Sequence, residues 1–175
     1  MNNSAVIYQS HYGTTQKYAE WIAQALDADL LNRKKVSVSD LSQYDMIIYG
    51  GGLYAGGLLG IDLVSKSKFK QLVVFTVGLA DPKLMDYAEI MAKAFPNQAY
   101  QPDQVYHFRG GIDYPKLSFL HRSLMTLLKK TVEKKSDSAI SAEGKAILET
   151  YGQKVDFTDK EVLTPLLTYV KEVLA

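Results

Sequence analysis

Three hydroxyls, Ser10, Thr14 and Thr15, surround Gly13 in the segment AVIYQSHYGTTQ, Ala5 to Gln16. There an apolar, β-branched run gives way to a helical pattern. Amides at a helix start have no partner within the helix and sit at the positive end of its dipole, so with three hydroxyls beside them they form a candidate phosphate cradle. The bland reading of the same residues is a capped helix, with Ser10 and Thr14 as the caps. No Lys follows Gly13 directly, which excludes a nucleoside-triphosphate P-loop, and no G-x-G-x-x-G is present, which excludes the dinucleotide fingerprint.

Two further loops add to this cradle. Gly50 to Leu58 reads GGGLYAGGL, with five glycines in nine positions. Such glycines permit positive φ and close approach of backbone to a flat ligand, and Tyr54 offers a ring face for stacking. Thr76 to Pro82, TVGLADP, supplies another hydroxyl, a glycine and a helix-start Asp-Pro. Each loop alone reads equally well as a plain turn. Their conjunction points to one ligand site made of Ser10, His11, Tyr12, Gly13, Thr14 and Thr15; Gly51, Gly52, Leu53, Tyr54, Ala55 and Gly56; and Thr76, Val77, Gly78 and Leu79.

Those loops need elements to hold them. Strands are expected at Ala5 to Tyr8, within Leu30 to Val38, at Met46 to Tyr49, at Leu72 to Val77 and at Gln104 to Phe108. Helices are expected at Thr14 to Leu26, Leu58 to Ser67, Lys83 to Phe95, Leu117 to Val132, Ser141 to Tyr151 and Asp159 to Leu174. Pro165 either kinks the last helix or marks its true first turn. The first helix carries Tyr18, Trp21, Ile22, Ala25 and Leu26 on one face, and the last points Val162, Leu166, Val170 and Leu174 inward. Glu133 to Ser138 reads as a surface loop. Alternation of this kind predicts a doubly wound parallel sheet with helices on both faces, and in such sheets ligands bind outside the carboxyl ends of the strands.

Composition narrows the function. The 175 residues fit one domain, 1–175, and 20 basic against 19 acidic residues leave no global field to recruit nucleic acid. No apolar run is long enough for a membrane span, and no secretory signal is evident, so a cytoplasmic location is expected. The absence of Cys excludes thiolate nucleophiles, disulfides and Cys-ligated clusters. His11, His107 and His121 have no ligand spacing, so no metal site is expected. Residues 109–135 hold seven basic residues against Asp113 and Glu133, beside an apolar stripe of Leu117, Leu120, Leu124, Leu127 and Leu128. Two readings stand: a core helix with a solvated basic face, or peripheral membrane contact through a basic helix spanning 116–135.

These residues resemble the flavodoxin-domain family. Its first loop reads roughly hydroxyl-x-hydroxyl-G-x-T, matched here at Ser10, Gly13 and Thr15, with Tyr12 where a small hydroxyl residue is usual. That departure leaves open a weaker phosphate grip or the use of Thr14 instead. Within the family, GGIDYPKLSFLHRSLM, Gly110 to Met125, and the Val155 to Asp159 approach to the final helix are similar to the menaquinone-dependent protoporphyrinogen dehydrogenase group. The resemblance implies a five-stranded flavodoxin-like sheet of order 2-1-3-4-5 and FMN held at the three loops. It also implies oxidoreductase activity between a reduced donor and a quinone-type acceptor, with a porphyrinogen as one substrate half-reaction. A quinone, a nicotinamide nucleotide or a redox protein are the expected partners. Two alternatives stay open: a flavodoxin-type electron carrier with no substrate of its own, and an interaction module that has lost the cofactor. The near-neutral charge fits poorly with small acidic carriers. Gln9-Ser10 and Tyr49-Gly50 stand where a phospho-receiver needs acids and make this chain a poor member of that class.

Overall fold

A computed structural model describes residues 3–175, so the first two residues of the expected domain 1–175 lie outside the described residues. The chain builds β1 Ser4–Gln9, α1 Thr14–Leu26, β2 Asp29–Asn32, α2 Val38–Leu41, β3 Met46–Tyr54, β4 Gly57–Leu58 and β5 Gln71–Gly78. It continues with α3 Ala88–Ala94, β6 Gln104–Arg109, β7 Gly111–Asp113, α4 Phe119–Glu133, α5 Ala142–Thr150, β8 Lys154–Asp156 and α6 Thr164–Leu174.

Five strands run parallel in the order β2-β1-β3-β5-β6, which is the expected 2-1-3-4-5 winding. The short β4 adds an antiparallel hairpin to β3. Both faces of the sheet are covered, because the central strands carry apolar side chains on both sides. On one face Val6, Ile48, Phe75 and Phe108 meet Tyr18 and Ile22 of α1 and Leu166 and Val170 of α6. On the other, Ile7, Ile47, Tyr49 and Val74 meet Leu41, Leu63, Val64 and Phe95.

Several expectations need correction. The glycine run is no loop: Gly50, Gly51 and Gly52 lie within β3 and pair with β1 and β5. Their role there is space, since a Cβ on Gly50 would fall 2.0 Å from the Phe75 ring and one on Gly51 2.6 Å from Leu58. Positive φ instead falls on Ala55 (49°) and Gly56 (74°), the two-residue turn between β3 and β4. The expected helix over Leu58 to Ser67 does not form; the hairpin consumes Leu58, and a single 3-10 turn at Ile61–Leu63 follows Gly60. The expected Lys83 to Phe95 helix breaks in two: a turn at Pro82–Leu84 capped by Asp81, extended backbone at Met85, then α3, whose Ala88 amide donates to Asp86. The second strand ends at Asn32, where the Asn32 side chain caps a 3-10 turn. Pro165 lies in the first turn of α6 and kinks nothing, while Asp159 stands ahead of the preceding turn, accepting from the Glu161 amide, and Val162 is exposed.

The segment between β6 and α6 is an excursion from the sheet. β7 and β8 pair antiparallel at its base, and α4 and α5 extend from them. The expected apolar stripe of α4 splits: Leu117 is buried, Leu124 and Leu128 are half-buried, and Leu120 and Leu127 are exposed. Val132 alone of the helix is fully buried, so α4 is no core helix.

Candidate functional site

The carboxyl ends of β1, β3 and β5 open into one cleft, and the excursion supplies its fourth wall. Just past β1, the Gly13 amide donates to Ser10 Oγ at 2.9 Å and closes a tight turn. Gly13 caps α1 at φ 97° with open space around it, so backbone conformation is what calls for glycine there. No side chain caps α1, and no acid occupies its first turn. The first amide bonded inside the helix is that of Lys17, to the Gly13 carbonyl. Unclaimed amides next to Ser10, Thr14 and Thr15 are a fit for an anion, held by dipoles and hydroxyls with no cation required.

Two glycines let the loops close on this turn. A Cβ on Gly52 would sit 3.3 Å from Thr15 Oγ1, and one on Gly110 would sit 2.9 Å from Thr14 Oγ1 and 2.7 Å from Val77. The Gly110 amide donates to the Gly78 carbonyl at 2.7 Å, fastening β6 to the end of β5. Next to it, Arg109 Nε donates to the Leu79 carbonyl at 3.1 Å while its guanidinium lies over the Phe157 ring. The remaining wall is apolar: Leu53, Leu59, Ile112, Leu117, Leu124, Met125, Leu128 and Ile147, with Glu143 the sole carboxylate on the lining.

Rings close the mouth. His11, Tyr12, Tyr54 and His121 gather with neighbouring centroids 5.1 to 6.1 Å apart across loops and helix, and the Tyr12 hydroxyl bonds His121 Nδ1. Burial, together with the nearby His121 and Lys34, lowers the pKa of His11, which favours the neutral imidazole. The base of the excursion is pinned to α1. Lys17 Nζ reaches Asp156 at 2.9 Å and Thr158 at 2.6 Å, and the Tyr18 hydroxyl donates to the Arg109 carbonyl and accepts from the Asp159 amide. Burial would raise Asp156, but bonds from Thr158 and Lys17 outweigh it and hold the carboxyl at about 2.

Of the residues expected at the site, Ser10, His11, Tyr12, Thr14, Thr15, Gly52, Leu53, Tyr54, Ala55, Val77, Gly78 and Leu79 line the cleft. Four do not. Gly13 works from behind as the helix cap, Gly51 is covered by Leu58, and Gly56 sits at the hairpin tip. Thr76 points to the opposite face, 2.7 Å from His107 Nδ1, where Tyr87 stacks on the imidazole with centroids 3.5 Å apart. Burial takes His107 down to about 4. The sequence reading left out the whole excursion wall and His121. Gly110-Gly111 was a visible signal; His121 was not, since nothing local links it to a loop 109 positions away. No three His, Asp or Glu among the described residues could hold a metal ion.

The residues present therefore fit a flat, largely apolar ligand carrying a phosphate. A model of the flavodoxin domain matches residues 5–139. An uncharacterized protein of Methanocaldococcus jannaschii is 34% identical over 94 residues, half of this chain, and the match spans 63% of that relative's length. Among solved structures, oxidised flavodoxin 2 from Bacillus cereus is 21% identical at a TM-score of 0.49, over 61% of this chain and 84% of that one. A flavoprotein in complex with FMN from Lactobacillus acidophilus is 16% identical at 0.45, over 61% and 93%. At those scores the structural likenesses are partial, and the sequence match carries the weight.

Proposed function

Given that the chain belongs to the flavodoxin-domain family, we propose that it is an FMN-binding oxidoreductase passing electrons from a reduced donor to a quinone-type acceptor. The observation that carries this reading is the uncapped, acid-free start of α1 beside Ser10, Thr14 and Thr15, opening onto an apolar cleft. Backbone amides and hydroxyls grip the phosphate; Thr14 stands in for the small hydroxyl residue that Tyr12 replaces. Leu53, Tyr54 and the Val77 to Leu79 backbone hold the ring system. When bound, FMN supplies electron-transfer chemistry, and the protein contributes binding, orientation and electrostatics.

The α4–α5 wall gives the ring system a second apolar side, on which Leu117, Leu124, Met125 and Leu128 receive a flat lipophilic partner and shield it from water. A quinone satisfies that wall, and a porphyrinogen is the substrate that the Gly110 to Met125 likeness supports. The reduced donor is that porphyrinogen, whose electrons pass to the acceptor, or else a nicotinamide nucleotide or a redox protein. Titration of the purified protein with FMN, following flavin fluorescence against riboflavin, tests the proposal. Saturable quenching by FMN and at least about tenfold weaker riboflavin binding are expected, since only FMN brings charge to the helix start. Ser10→Ala, which removes the acceptor for the Gly13 amide, weakens FMN about tenfold and leaves riboflavin unchanged. No saturable FMN binding would sink this reading and favour an interaction module.

A further inference from the structure

Helix α4 has two apolar faces, and the cleft uses one of them. On the other, Phe119, Leu120 and Leu127 are 88%, 72% and 61% exposed. Helical spacing places these three with Ser123, Lys130 and Lys134 on one side, opposite His121, Met125, Leu128 and Val132. A helix on the surface of a soluble protein normally turns Phe and Leu inward, and a contiguous exposed set marks an interaction surface.

Charge says what that surface fits. Lys116 and Lys129 are partly spent on Asp113 at 3.5 Å and Glu133 at 3.4 Å. Arg122, Lys130, Lys134 and Lys135 make no ion pair among the described residues, although Arg122 donates to the Pro115 carbonyl. The apolar set thus has three lysines without an ion pair, Lys130, Lys134 and Lys135, just past its C-terminal end. We infer that this face docks on the anionic surface of a lipid bilayer, with Phe119, Leu120 and Leu127 at the headgroup–acyl boundary and the lysines among the phosphates. A second copy of this chain is a poor occupant, because the same face on a partner offers those lysines no carboxylate to pair with. No helix among the described residues is long and apolar enough to cross a membrane, so the contact lies in the plane of the surface.

Docking this way holds the cleft about one helix diameter, ~10 Å, from the bilayer surface, since Leu124, Met125 and Leu128 line it from the same helix. Delivery of a lipid-soluble acceptor rests on the proposed function; the docking itself does not. Co-sedimentation with phosphatidylcholine vesicles, with and without phosphatidylglycerol, is the experiment. The wild type pellets with the anionic vesicles and stays in solution with the neutral ones. The triple variant F119S/L120S/L127S partitions about a hundredfold less or worse, and each of Lys130→Ala, Lys134→Ala and Lys135→Ala costs about fivefold at low salt. All keep the wild-type circular dichroism and FMN affinity, because the altered side chains touch neither the core nor the cleft. A wild type that ignores both vesicles would overturn the inference. So would a triple variant that binds vesicles as well as the parent, or one that turns a dimer into a monomer in sedimentation velocity.

Discussion

Helices α1 and α4, 13 and 15 residues long, face each other across the cleft, yet they are held by different forces. α1 buries Thr15, Tyr18, Ala19, Ile22 and Ala23 between the sheet and α6, whereas α4 buries Val132 alone. The phosphate side of the site inherits the stiffness of a closed core. The apolar side hangs on α5, on two three-residue strands, and on polar ties: Lys17 to Asp156, Arg109 to Glu149, and Tyr12 to His121. Local opening is cheapest where few apolar contacts are buried, so α4 should open well below the global unfolding free energy. A site built this way grips one ligand firmly and can part its other wall for a second.

The largest effect should come from overpacking the stiff half. Gly50→Val places a side chain into the Phe75 ring, within a fully buried sheet, and should lower the urea unfolding free energy by about 3 kcal/mol. Leu124→Ala on the half-buried wall should cost about 1 kcal/mol or less. Equal costs would erase the comparison.

Acid should also strike the stiff half first. His107 is held at about 4 against an ordinary 6.5, so the folded state binds its proton less readily than the unfolded chain. Stability is therefore complete above pH 6.5, falls as the pH drops through the window down to about 4, and is level below it, with a total on the order of 2 kcal/mol. His107→Gln should remove that slope from denaturation curves measured across pH 4 to 7. A slope that survives the change would assign it elsewhere.

The ties of the excursion should matter less. Asp156, held at about 2 against 3.8, stabilises above pH 4, and that contribution is lost as the pH falls toward 2. The pair is largely exposed, so Asp156→Asn should cost under about 1 kcal/mol. Its signature is regional: hydrogen exchange should quicken across 111–156 and stay unchanged in α1. Tyr12→Phe is the smallest change, removing the bond to His121. We expect no measurable shift in the global melting temperature and about threefold faster exchange in the first turns of α4. A global loss of stability from either variant would show that the excursion is part of the core.

Much of the sheet could be read from local signals, and the failures are specific. Strands β1, β5 and β6 announce themselves as apolar runs, and Ser141 caps its helix as its type suggests, whereas Ser118, expected inside its helix, caps it. The glycines of β3 misled, because a tight strand and a flexible loop both call for glycine; only the Phe75 ring on one side and Leu58 on the other distinguish them. Leu120 and Leu127 misled in the opposite sense: helical spacing grouped them with Leu124 and Leu128, but which face is inward depends on what α5 and the loops present.

The alternation of strands and helices, the turns that follow β1 and β5 at the carboxyl edge of the sheet and the passage from Ser10 into α1 were determined by short-range pattern: apolar runs alternating with amphipathic ones, and turn residues between them. The fourth wall of the cleft, the meeting of His121 with Tyr12 and His11, and the outward turn of Phe119 and Leu127 were decided only in three dimensions. The reason is physical. A strand or a cap is stabilised by neighbours a few positions away, while a wall and an exposed face are defined by packing between segments that the chain keeps far apart.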